Sequence, residues 1–245
     1  MSETGTADKV LDAVFIYGGI LDAYEAVGTE LIGENVVSDY VIPKMVYYVK
    51  EFLPEIFSTR STDQDELIGE LTNWLTEFRG KIEKAREMGT GKNFTMEEIW
   101  ELRAAIFGYE SVFIDILGEA AIKNYVFKRI ADIISAYLPD SFIYEGDTTL
   151  TTLDAKLNSY ISTIQSKKFV EFAKYKVKDE SVVITANRCA FSKIHDSEAY
   201  RKANVRFCPW GMIGSAILAS HRGKETNIES CLFTTKGSVS KIISK

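Results

Sequence analysis

The chain repeats itself. Slid by 85 residues, Tyr24-Glu25-x-Val27 falls on Tyr109-Glu110-x-Val112, Gly33-Glu34 on Gly118-Glu119, and Tyr40-Val41 on Tyr125-Val126. Leu53-Pro54-x-x-Phe57 falls on Leu138-Pro139-x-x-Phe142. That is ten identities in 34 positions, where chance supplies roughly two. Conservative pairs follow the same shift, among them Glu30/Asp115, Ile32/Leu117 and Lys44/Arg129. One residue further on, Leu67, Leu71, Trp74 and Leu75 match Leu153, Leu157, Tyr160 and Ile161. A fold for this chain must accommodate the same three-helix unit twice.

The periodicity within each copy is helical. Leu11, Val14, Ile20, Leu21, Val27 and Leu31 follow a period near 3.6. Tyr40–Leu53 is strongly apolar, with Ser38-Asp39 expected to cap it, Pro43 in its first turn and Pro54 at its stop. Leu67, Leu71, Trp74, Leu75 and Phe78 form one face of a third helix over Leu67–Arg86. The segment Met88–Thr95 superficially suggests a phosphate-binding loop. It has Arg86 and Asn93 where that motif needs Gly and Ser/Thr, and no strand precedes it. It reads instead as a linker ending in a capping box, Thr95 with Glu98.

After the second copy the pattern changes to period two. Lys168–Val177 and Glu180–Cys189 flank Lys178-Asp179 as a hairpin, and Thr226–Thr234 and Ser238–Ser244 flank Thr235-Lys236-Gly237 as another. Between them Pro209–His221 reads as a buried helix ended by Gly223. The expected fold is α+β: a duplicated helical unit followed by a small antiparallel β-sheet with one inserted helix (α-α-α-β-β-α-β-β). The domains expected are 1–92, an N-terminal helical copy, and 93–245, an α+β ligand-binding-like domain.

Composition narrows the class. A net charge of −6 over 245 residues, without a Lys/Arg-rich recognition face, argues against nucleic acid as partner. No apolar run is long enough for a membrane span, and MSETGTADKV lacks a signal-peptide pattern. Three widely spaced cysteines are not a disulfide framework and suit a reducing cytoplasm.

Gly118-Glu119 near a helix end, Cys189 at a strand end, Cys208-Pro209-x-Gly211 opening a helix, and Cys231 followed by Gly237-Ser238 come in a particular order. With that order of elements the stretch from about Met96 to Lys245 resembles the 4-vinyl-reductase-like (hydrocarbon-binding) domain, related to the trafficking-protein-particle small-subunit fold. Ser238 stands where that family's last hairpin carries a further cysteine. The resemblance implies a domain that encloses small apolar molecules, often as a sensor, and whose relatives pair through helices. A C2 homodimer is therefore expected.

Two sets of residues carry candidate chemistry. Tyr109, Phe113 and Leu117 on one helix, with Phe172, Trp210 and Met212 in the αβ portion, could line an apolar pocket or simply fill a core. Cys189, His195 and Cys208 offer soft ligands for zinc, iron or haem, or are buried as small hydrophobes. Cys208, just before Pro209, is the expected reactive thiol, since a helix N-terminus stabilises a thiolate. No nucleophile elbow, paired-carboxylate motif or dinucleotide fingerprint is present, so no catalytic residue is assigned. The expected function is a cytoplasmic small-molecule-binding or sensory protein without catalysis. A metal- or haem-dependent redox sensor and a structural adaptor that binds a partner protein through its helices are the alternatives.

Overall fold

A computed structural model describes residues 3–57, 62–89, 94–130, 152–166, 168–190, 192–198, 200 and 207–245. The architecture is α+β, and the chain forms two compact units, Met1–Arg129 and Ile130–Lys245. The units do not coincide with the repeat boundary. Helix Met96–Ala121, grouped by the sequence with the C-terminal domain 93–245, belongs to the N-terminal unit because it packs against the first copy.

In the helical unit, α1 (Glu3–Ile32) buries Val14, Ile16, Ile20, Leu21 and Val27. It stops at Gly33, whose φ of 88° and ψ of 151° lie in a region essentially closed to other residues. A short turn and a π-helical turn, Val37–Val41, lead into α2 (Ile42–Val49). Ser38-Asp39 do not cap α2. They sit inside the π turn, and the Ile42 N–H donates to the Val37 carbonyl, so α2 starts with a backbone partner and needs no cap. Helix α3 (Gln64–Met88) is capped by Asp63, which accepts from the Asp65 and Glu66 N–H groups, and ends at left-handed Gly89. Helix α4 (Met96–Ala121) opens with the expected Thr95/Glu98 capping box.

Near its end α4 repeats the deformation of α1. Gly118 has φ 77° and ψ 163°, and a π-helical turn follows at Ile122–Val126. These are the positions of Gly33 and Val37–Val41 advanced by 85 residues. The duplication is thus visible in backbone geometry as well as in residues. The matching Leu138-Pro139-x-x-Phe142 lies outside the described residues.

The second unit holds α5 (Leu153–Ser166), β1 (Val170–Lys178), β2 (Ser181–Cys189), α6 (Pro209–Arg222), β3 (Thr226–Thr234) and β4 (Gly237–Ser244). The strands form one antiparallel sheet in the order β1-β2-β4-β3, with both expected hairpins present. One sheet face buries Val182, Ile184, Ala186, Ile228 and Ile242. Helix α6 packs against β2, β3 and β4, and α5 against β1 and α6. Gly211 and Gly214 set the approach of α6. A Cβ on Gly211 would come within 2.7 Å of Ser240 Cβ, and one on Gly214 would strike Ile184. On edge strand β1, Lys174, Lys176 and Lys178 stand exposed at alternate positions, which discourages edge-to-edge pairing.

Candidate functional site

Two clusters of polar and aromatic side chains are buried, one in each unit. In the helical unit the repeated Tyr-Glu dipeptides come together. Tyr24 and Tyr109 stack with ring centroids 6.5 Å apart, and Phe113 packs 5.7 Å from Tyr24. The Tyr109 hydroxyl donates to Glu25 Oε1 at 3.1 Å. Arg79 from α3 donates its Nε to the same oxygen at 2.9 Å and its terminal nitrogen also reaches it. Burial pushes the Glu25 carboxyl above the usual range, and Arg79 and Tyr109 hold against that rise. On the other side, burial raises the Tyr24 hydroxyl well above its ordinary value and the charge of Glu110 adds to it, while Arg103 opposes. Glu110 and Arg103 are fully buried. Glu25 is thus paired with Arg79, the kind of partner that lets a charge persist in a core. The Tyr24 hydroxyl has no hydrogen-bond partner among the described residues.

The second cluster lies where β2 ends and α6 begins. The Trp210 indole N–H donates to Cys189 Sγ at 3.3 Å, and the Tyr160 hydroxyl donates to the Trp210 carbonyl at 3.0 Å. Phe169 stacks on Trp210 at 5.7 Å with 17° between the planes. Burial raises the Tyr160 hydroxyl, and nearby Cys208 and Cys189 raise it further. All three cysteines remain thiols. Cys208 occupies the N-cap of α6 but its side chain does not cap the helix, and it is only 5% exposed. The position expected for a reactive thiol is therefore screened from solvent.

The sequence-derived candidates separate between the units. Tyr109 and Phe113 are buried in the helical unit, and Leu117 is half-buried there. Trp210 and Met212 are buried in the sheet-bearing unit, whereas Phe172 is 47% exposed. Phe172 alternates with buried Ala173 along β1, so it stands on the opposite face of the sheet. His195 does not join Cys189 and Cys208. Its Nδ1 lies 3.0 Å from the Thr234 carbonyl, and its ring packs against Tyr200 and Phe233. Among the described residues no group of three or more His, Cys, Asp or Glu side chains is placed to hold a metal ion. Also among the described residues, no helix is long and apolar enough to cross a membrane.

Glu25, Arg79, Arg103 and Glu110 were not among the candidates read from the sequence. The available signal was the repeat itself, whose first mark is Tyr-Glu-x-Val in both copies. Set against protein families, curated proteins and solved structures, the chain matches none.

Proposed function

We propose that the chain is a cytoplasmic, non-catalytic small-molecule-binding or sensory protein, and that the sheet-bearing unit is a 4-vinyl-reductase-like domain that takes a small apolar ligand. The observation that supports this reading is the gathering of Phe169, Tyr160, Trp210, Cys189 and Cys208 at one end of α6. Two stacked aromatic faces and two polarisable thiols suit a flat, greasy ligand better than a charged one. Within this reading the tyrosine and indole protons are already used inside the cluster, so recognition rests on shape and dispersion.

The alternative is a redox or sensor protein that holds zinc, iron or haem through Cys189, His195 and Cys208, although His195 Nδ1 lies at the Thr234 carbonyl. A third reading, a structural adaptor, is favoured by one observation. Val36, Tyr40 and Tyr47 are exposed in the segment Glu34–Val49, and Tyr47 is 74% exposed. Large exposed aromatics of this kind anchor protein–protein contacts.

Native and denaturing mass spectra of protein purified without chelator test the proposal. The expected result is an extra mass of drug-like size, lost on denaturation. An extra mass matching a metal ion would move the function to the thiols. Protein that retains nothing, and takes up no mass when incubated with a panel of aromatic hydrocarbons, would overturn ligand binding and leave the adaptor.

A further inference from the structure

We infer that the α4 face carrying Tyr109 and Phe113 is a self-pairing surface built to fit a second copy of the same helical repeat, and that in this chain the N-terminal copy occupies it. The first helix and π turn of each copy form a two-fold pair within one polypeptide.

The contacts are reciprocal. Tyr24 and Tyr109 are equivalent residues, and they stack on each other. Gly28 and Phe113 are also equivalent, and a Cβ on Gly28 would lie 2.7 Å from Phe113 Cζ. A sideways shift can also set equivalent residues side by side, but it does not exchange the partners of the residues around them; a two-fold relation does both. Away from the axis, such a pair shows contacts in couples with the roles exchanged, and three couples of this kind are present among the described residues. Tyr109 of the second copy bonds Glu25 of the first, and Tyr24 of the first feels Glu110 of the second. Arg129 of the second copy pairs with Glu30 of the first at 3.4 Å. Its equivalent Lys44, held first by Tyr40, is also acted on by Asp115, the equivalent of Glu30. Helix α1 packs against the π turn Ile122–Val126, and α4 packs against the π turn Val37–Val41. The homodimer expected from the sequence thus takes an intrachain form, with the first copy supplying in cis what a separate chain would supply in trans. This inference does not rest on the ligand reading.

Two experiments on the full chain test it. The first exchanges the residues at the axis. Gly28→Phe and Phe113→Gly are each expected to lower the melting temperature, and the double exchange to recover most of the loss. A double variant no better than the worse single variant would overturn the two-fold relation. The second sets Glu30→Cys with Arg129→Cys, both at exposed positions, and adds a short bis-maleimide. The expected product is an intrachain bridge on a monomer, absent from each single variant and from the parent. A bridged dimer that needs both cysteines would place the pairing between chains and overturn occupancy in cis. Failure to bridge at all would overturn the contact itself.

Discussion

Gly33 and Gly118 offer a sharp test because nothing crowds them. Both adopt positive φ with ψ near 160°, yet an added Cβ at either would meet no atom within 4 Å. Replacement by Ala therefore carries no steric clash with the rest of the fold, only the backbone strain of holding an L-residue in a glycine conformation. That strain is about 1–3 kcal/mol. Ala also reduces the freedom of the unfolded chain, which returns about 0.4–1 kcal/mol to stability. The net expected loss is about 1–2 kcal/mol for Gly33→Ala or Gly118→Ala. For a helical unit of this size that is a fall in melting temperature of roughly 4–8 °C. Gly69 and Gly80 supply the control. They lie exposed within α3, likewise with no atom within 4 Å of an added Cβ, and without positive φ. There the same substitution should stabilise by about 0.5–1 kcal/mol. Circular-dichroism melts of the four single variants read both signs. Gly118→Ala protein that melts at or above the parent would refute the strained turn, and with it the structural equivalence of the two kinks.

Three further outcomes are expected. Gly214→Val should lift α6 from Ile184 and Ile242 and cost about 1–3 kcal/mol, seen as a lower denaturant midpoint. Glu25, raised by burial, binds its proton more tightly folded than unfolded, so its contribution to stability is greatest below the ordinary carboxylate range and falls as pH rises through the folded value. Glu25→Gln should remove that fall from the pH dependence of the melting temperature; an unchanged profile would show that Glu25 titrates normally. Tyr48, raised to about 12 by burial and by its 2.7 Å hydrogen bond to Asp115, keeps that stabilisation below pH about 10 and loses it through about 12. In Asp115→Ala, phenolate absorbance should appear at lower pH than in the parent, and coincident titrations would deny the bond.

Much of the fold was legible because its signals are local. The capping box at Thr95, the helix stop at Gly223 and both hairpins are written in neighbouring residues, and the repeat is written in identity. What escaped was set by distance along the chain. Arg79 meets Glu25 across 54 residues, and Tyr109 meets it across 84, so no spacing rule could join them. The π turns escaped for another reason. Ser38-Asp39 look like a cap, and the π turn, whose Val37 carbonyl accepts from the Ile42 N–H, makes the cap unnecessary. The small residues of α6 allow a close approach without saying by what. Gly211 and Gly214 let the helix sit directly on the sheet. The placement of His195 escaped likewise, since it depends on the tip of the second hairpin, at the Thr234 carbonyl.

The contact of Gly28 with Phe113 carries a consequence for how such a surface can change. Two separate identical chains must present the same residue on both sides of their axis. Two glycines there would leave a hole, and two phenyl rings would compete for one space. A chain that carries both sides can set a small residue against a large one, as a knob against a socket. It can also alter one side by mutation while the other stays as it was. Each half of the pair is then free to acquire a separate task, and one half can keep the sheet while the other does without.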